Sequence, residues 1–559
     1  MSAIPPIHLC IVQPTGYVHS LGLVDQARYF RFQFRRLGAT VTLAKNRLRH
    51  DAVNFVFGAH LGFEAAQNQR HTCVFVNLEQ LGEGGAQVTP EYLKLLATSA
   101  VVDYDADNVA SYAIEASDVP LVPFLHAPYL APAEPLPLED RPIDLLFFGS
   151  MNPRRRAWID RIEALGLSVS VFDSPLYGPE RDHYIAQAKA VLNVHFYESS
   201  RFEQARVSHC LSLGTPVISE RTAQTRPHPD FEDSVLWLQS DEEVVQFFGE
   251  DFGTPACFDA MRAGLDRFRE TDPIEPYADL LAFAAGFGNE HAKRRDPDAW
   301  RPTHINLGSG KDYRAGWLNL DVQDSTQPDL LLDLSQPLTL PLQAASPTTG
   351  PLLLEEGSVQ VINANNVLEH VPDLARLMGS CLRLLDLGGE LRIEVPFERA
   401  PTAWQDPTHV RAMNENSWIY YTDWFWYLGW FEHRFKLSDS SYLDINLQPC
   451  AKEQAAFMRV TLEKIETTAR ERNVARTMQA DLRLPDDDFV PTPQQRRPEM
   501  PVAAAAPMAS ILPHPAPPTD AARQPAASVP GGLDIPALNL LAPTRSEALR
   551  RAAQAAVAG

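Results

Sequence analysis

Cysteine is scarce in this chain of 559 residues: there are six, at positions 10, 73, 210, 257, 381 and 450, and no two form a Cys-x-x-Cys pair. That spacing argues against a disulfide framework and against a thiolate zinc site, and no metal centre is expected. Basic charge is also in the minority, with 49 Lys and Arg against 71 Asp and Glu and a net charge of −22. Such a balance argues against general binding to nucleic acid or to anionic membrane, although a local basic pocket could still hold phosphates. No apolar run approaches the roughly 18 residues needed to cross a bilayer. Residues 1–14 have neither the basic region nor the cleavage site of a signal peptide. A cytoplasmic protein without a transmembrane segment is the expectation, and the length allows two to four domains.

Three strand-then-turn openings recur, at residues 8–12, 143–149 and 304–310, spaced as one α/β domain each. Between them apolar runs alternate with helical patterns, the order of parallel sheets. The first opening leads through Gly16 and His19 into a predicted helix over 21–37. Strands are expected over 39–44, 52–57 and 72–78. A proline-rich stretch, 131–138, separates it from the second opening, Phe147-Phe148-Gly149-Ser150-Met151-Asn152-Pro153, which precedes Arg154-Arg155-Arg156. A helix start beside three arginines can hold a phosphate through free amides and guanidinium forks, or it can be a solvated helix face. Strands 169–172, 191–196 and 215–220 follow, with a helix over 181–190. Residues 272–298 are polar and helix-prone, and a hinge is placed near 290–301.

The third opening carries the most information. Ile305-Asn306-Leu307-Gly308-Ser309-Gly310 is a strand and glycine turn, and Leu318-Asn319-Leu320-Asp321 ends the next strand on a carboxylate. Glycines there allow a sharp turn and close approach of a ligand, and the carboxylate can take both hydroxyls of a ribose. Only 13 positions separate Gly308 from Asp321, and Tyr313 stands where a dinucleotide fingerprint has its third glycine. A nucleoside ligand without a pyrophosphate is therefore favoured over NAD or FAD.

With Leu368-Glu369-His370-Val371 and Leu387-Gly388-Gly389-Glu390-Leu391 downstream, residues 302–470 resemble the class I S-adenosylmethionine-dependent methyltransferases, in particular a short bacterial cell-envelope type. The resemblance implies an S-adenosylmethionine site built from Asn306, Gly308, Ser309, Gly310, Asp321, Asp333 and Asn365. Asp321 would hold the ribose and Asp333 the adenine amine. Past the fifth strand, Asp406-Pro407-Thr408-His409-Val410-Arg411 lies where acceptors usually bind in that family. His409 is a candidate base and Arg411 a candidate holder of an anionic acceptor. His370 is a second catalytic candidate, although Glu369-His370 reads more readily as a helix-start pair ordering the crevice. The aromatics between Tyr420 and Phe431 could stack on a sugar face or could be core. Phe457 to Glu463 alternates like a strand and fits the last of the sheet, and Thr468-Ala469-Arg470-Glu471 fits a capping box.

Residues 1 to about 290 resemble a GT-B glycosyltransferase, with 1–130 as acceptor half and 140–290 as nucleotide-sugar half. That likeness implies a metal-independent donor site among Gly16, Gly149, Ser150, Arg154, His195, Glu198 and Glu203. It departs from the family where a pair of glutamates is usual, since Arg201 and His209 occupy those positions. The expected fold class is α/β: a GT-B-like pair of Rossmann-like domains, a methyltransferase-like domain over 300–484, and a disordered Pro/Ala-rich tail over 485–559 with a short terminal helix near 544–557. Together the resemblances imply a methyltransferase acting on a glycan or small acceptor, fused to a glycosyltransferase-like half for envelope-polysaccharide assembly. Two alternatives stand beside it: a methyltransferase with a non-catalytic carbohydrate- or nucleotide-binding half, and a non-enzymatic scaffold.

Overall fold

A computed structural model describes residues 4–113, 119–172, 174–294 and 298–479. The expected disordered tail and its terminal helix lie outside the described residues, as does the centre of the expected hinge. The chain divides into two units, one of 1–428 with His433–Glu466 and one of Gly429–Glu432 with the segment from Thr467 onward. In the second unit the helix Ala469–Gln479 opens on the expected capping box: Thr468 N donates to Glu471 Oε2 at 2.7 Å and Glu471 N to Thr468 Oγ1 at 3.2 Å.

The first unit is mixed α/β with parallel, Rossmann-like sheets. In the first sheet, β1 (Ile7–Ile11), β2 (Val41–Lys45), β3 (Val53–Phe57), β4 (Thr72–Val76) and β5 (Ala100–Val102) pair in parallel in the order β2-β1-β3-β4-β5. β1, β3 and β4 are buried along their whole length, which is why they read as continuous apolar runs rather than alternating ones. The helix Leu23–Arg36 covers one face through Ala27, Phe30 and Phe34. The second sheet repeats the order: β6 (Ile143–Phe147), β7 (Val169–Val171), β8 (Ala188–Asn193), β9 (Val217–Glu220) and β10 (Leu236–Leu238) run β10-β9-β8-β6-β7. The strand expected over 191–196 begins three residues earlier, because Ala188 and Ala190 are small, buried strand residues that sequence alone reads as helix. Each sheet has the 2-1-3-4-5 order, whose switch point lies between its first and third strands.

The helix Ile274–Arg294 follows the second sheet in sequence yet packs on the first. Tyr277, Leu280, Leu281 and Ala284 join the core of β1, β3 and β4, and His291 Nδ1 meets Thr72 Oγ1 at 2.9 Å. Within the expected hinge region, residues 290–294 form the mostly exposed last turn of this helix, and its earlier turns are held by apolar contacts that its polar end conceals.

The third sheet comprises β11 (His304–Leu307), β12 (Leu318–Asp321), β13 (Leu330–Leu331), then β16 (Val359–Asn365), β17 (Leu385–Pro396), β18 (His433–Leu443) and β19 (Phe457–Glu466), after a separate hairpin of β14 (Leu342–Ser346) and β15 (Gly350–Leu354). Its order is β13-β12-β11-β16-β17-β19-β18, with β19 antiparallel to both neighbours. The expected last strand is last in sequence but lies inside the sheet. β18 forms the edge, and its mostly exposed, polar face hid it from periodicity.

Candidate functional site

Registers place the glycine turn and the carboxylate together. Asn306 pairs with Asn319 and Leu307 with Leu320, so Gly308 to Gly310 and Asp321 leave adjacent parallel strands at the same edge. Asp321 Oδ2 accepts from Gly310 N at 2.8 Å and Oδ1 from Gln323 N at 2.9 Å, while Ser309 N donates to the Leu320 carbonyl. Each carboxylate oxygen keeps a further acceptor position. Gly308 and Gly310 have φ of 59° and 50°, and a Cβ on Gly308 would stand 2.4 Å from Val367 Cγ2. Glycine is therefore required there by conformation and by space.

The other expected cofactor residues are distributed unevenly. Asn306 is turned to structural use, its Nδ2 donating to the Asp312 carbonyl and to Asn319 Oδ1. Asp333 lies two residues past β13, where its carboxylate accepts from Ser335 N and Oγ at 2.8 and 2.6 Å and is held below the usual carboxylate range despite partial burial. Asn365 closes β16, beside the turn. Beneath the crevice, the buried Asp329, which the sequence did not single out, accepts from Asn319, from Tyr313 OH at 2.8 Å and from Thr348 Oγ1 at 2.7 Å. Arg47 of the first layer stacks on Tyr313, 4.4 Å from its ring centre, and donates to Gln327. The loop following the glycine turn is thus held from below by the first layer.

Across the mouth, the turn Leu368–His370 follows β16. Glu369 and His370 do not open the next helix: Leu374–Leu384 is capped by Asp373, whose side chain accepts from Arg376 N at 3.1 Å. Glu369 is instead 1% exposed, and neither carboxylate oxygen has a hydrogen-bond partner among the described residues. Burial pushes its carboxyl up to about 7. The Asp406–Arg411 loop closes over it: Val410 N donates to the Glu369 carbonyl at 2.8 Å, and His370 and His409 pack edge to face, ring centres 4.7 Å apart. The Arg411 guanidinium, expected to hold an acceptor, donates Nη2 to the carbonyls of Val371 and Pro372 at 2.6 and 2.7 Å. Val410 on this loop and Trp404 just before it are exposed. The aromatic cluster divides: Tyr421 and Phe425 are core, as is Trp418 ahead of it, whereas Tyr420, Trp424 and Tyr427 form an exposed, mutually packed group.

In the second layer Gly149, Ser150, Arg154, His195 and Glu203 gather at the carboxyl edge of β6, β8 and β9, but as a closed cluster. Glu203 accepts from His195 Nδ1 and Asn193 Nδ2 at 3.1 Å each, with Arg206 at 3.4 Å and Arg155 at 3.5 Å. Burial opposes its charge, yet His195, Arg206 and Arg155 hold its carboxyl down at about 2. His195 is fully buried, its Nε2 on Thr225 Oγ1, and Arg154 pairs with Glu220. Ser150 gives its carbonyl to Arg155 Nη1. Arg155 belongs to the Arg154-Arg155-Arg156 run offered as a phosphate holder, whereas Arg206, on which the cluster also depends, was not singled out. Glu198 stands apart, with its Cβ near Gly84 of the first layer, and Gly16 has open space around it.

No family model matches the chain. Two uncharacterized proteins of Acanthamoeba polyphaga mimivirus are similar to parts of it. One is 28% identical over 169 residues, covering 29% of this chain and 51% of the relative. The other is 37% identical over 78 residues, covering 14% of this chain and 9% of the relative. The chain thus spans about half the length of the first and under a tenth of the second. Among solved structures, an S-adenosylmethionine-dependent methyltransferase from Mesorhizobium loti is 15% identical, covered over 96% of its own chain and 32% of this one, at a TM-score of 0.20. A SAM-dependent methyltransferase from Archaeoglobus fulgidus is 12% identical over 85% of its chain and 29% of this one, also at 0.20. At that score the likenesses carry no argument about what this chain does. No described helix is long and apolar enough to cross a membrane.

Proposed function

We propose that the third-sheet crevice binds S-adenosylmethionine and transfers its methyl group to a small-molecule or glycan acceptor. The observation that carries this reading is the bond from Gly310 N to Asp321 Oδ2 at 2.8 Å, which fixes the carboxylate beside the glycine turn. A nucleoside laid over Gly308 to Gly310 presents its ribose to that carboxylate, and no phosphate-holding third glycine is needed. Methyl transfer is an in-line displacement in which positioning does most of the work, and the Asp406–Arg411 loop supplies the acceptor side. Titration calorimetry with S-adenosylmethionine and S-adenosylhomocysteine tests it: the intact chain binds both, and a chain that folds but binds neither refutes the reading.

The first two layers are read as a GT-B-like half that binds a nucleotide-sugar without a metal, in the service of envelope-polysaccharide synthesis. The supporting observation is the Phe148-Gly149 turn, where Arg155 and Arg206 guanidinium nitrogens would lie 3.3 and 3.4 Å from a Cβ on Gly149. Glu203, one of the two glutamates expected at the donor site, already has Oε2 hydrogen-bonded and Oε1 ion-paired with Arg155 and Arg206, so binding without sugar transfer is favoured over transfer. Titration with uridine, guanosine and cytidine diphosphate sugars gives heat at one of them on this reading. Silence across the panel leaves the half a scaffold.

A further inference from the structure

We infer that Glu369, His370 and His409 form a binding site for a divalent transition-metal ion at the acceptor side of the crevice. One ligand atom from each of the three lies within 4.8 Å of the other two. The hydrogen bonds around the cluster prepare both rings for coordination. His409 Nδ1 is 2.9 Å from the Ala403 carbonyl, which can only accept, so Nδ1 carries the proton and Nε2 the lone pair. Thr408 Oγ1 spends its hydrogen on Asp406 Oδ1 at 2.6 Å, so at 2.9 Å from His370 Nδ1 it accepts, which again leaves the lone pair on Nε2. A hydrogen bond on the far nitrogen is the usual means of fixing a metal-binding imidazole.

Glu369 supplies the independent observation. A carboxylate that is 1% exposed and has no hydrogen-bond donor on either oxygen among the described residues lacks a partner that burial ordinarily demands. A cation between it and the two imidazoles is that partner. Two imidazole nitrogens and one carboxylate suit zinc, manganese, cobalt or ferrous iron rather than magnesium or calcium. The imidazoles of His370 and His409 are only half-buried, so further coordination positions are reachable from solvent. Glu369 also lies two residues from Val367, whose side chain meets the Gly308 turn, so the cluster and the turn follow the ends of neighbouring parallel strands.

What the ion does there rests on the methyl-transfer reading, whereas its binding does not. A metal-held acceptor hydroxyl loses its proton to solvent more readily. Its oxygen then forms the bond to the methyl carbon as the sulfonium carbon–sulfur bond breaks, with the electron pair going to sulfur.

The experiment is titration of the chelator-stripped full chain with Co²⁺, read by visible absorption, and with Zn²⁺, read by calorimetry. The unsubstituted chain and the Glu369→Gln and His409→Asn variants are compared, with S-adenosylhomocysteine titrated into the same metal-free preparations. One ion per chain with imidazole-type Co²⁺ spectra, weakened at least about tenfold in either folded variant, is the expected result. Equal binding in all three, or no saturable binding, overturns the site. Binding of Co²⁺ without S-adenosylhomocysteine keeps the metal site and rejects the methyl-transfer reading. The converse rejects the metal site alone.

Discussion

Two glutamates, one in each half of the molecule and both largely out of solvent, are in opposite electrostatic conditions. Glu203 of the second layer sits among His195, Asn193, Arg206 and Arg155, and its carboxyl is held at about 2. Glu369 of the third layer is buried with no donor, and its carboxyl rises to about 7. A closed cluster has its charges answered by the fold and contributes to stability. An open one awaits something the polypeptide does not supply. The difference separates a structural centre from a binding site more reliably than residue type does, since both centres combine histidine and glutamate on a strand edge.

The comparison can be broken most directly through stability. Glu203→Ala leaves the Arg155 and Arg206 charges without their buried counter-ion and is expected to cost about 3–5 kcal/mol, measured by calorimetric unfolding. A loss under about 1 kcal/mol would show that the cluster is solvated and available. Acidification sharpens the same point. A carboxyl lowered from 4.5 to about 2 gives stability that is full above pH 4.5 and is lost as pH falls from 4.5 toward 2. Glu203→Gln should flatten the pH dependence of the melting temperature in that window.

A smaller effect is expected where the halves meet. Arg47→Ala removes the stacking on Tyr313 and the bond to Gln327, at a cost of about 1 kcal/mol. It should also loosen the loop after the glycine turn, seen as faster amide exchange over residues 311–317. Unchanged exchange there would mean that the first layer does not brace the crevice. The smallest effect is assigned to Glu369→Gln. It breaks no internal bond and relieves a buried charge, so metal-free stability should stay within about 1 kcal/mol of the parent or rise.

These expectations also mark how far the sequence could be read. The three parallel openings were legible because β1, β6 and β11 are short apolar runs ending in glycine turns or their equivalents, a pattern with local physical cause. The Gly308–Asp321 pairing was legible because adjacent parallel strands bring their ends together whatever the loops do. β18 was not, since an exposed polar edge strand leaves no alternation. The return of Ile274–Arg294 to the first sheet was not, since a helix face names no partner. Glu369 looked like a helix start because Asp373, four residues on, performs that task in a way only the hydrogen bond reveals. His409 meets His370 across 39 residues of chain, a closeness that no spacing rule encodes.

The central claim is that the third-sheet crevice, and not the second-layer cluster, is where S-adenosylmethionine binds. Its most direct measurement is the S-adenosylhomocysteine affinity of the full chain beside Asp321→Ala and Glu203→Gln. Losing charged acceptor bonds to the ribose should weaken binding by about one to two powers of ten in Asp321→Ala, while Glu203→Gln stays within about threefold of the parent, under 1 kcal/mol. Parent-like affinity in a folded Asp321→Ala chain, or an equal loss in both variants, would contradict it.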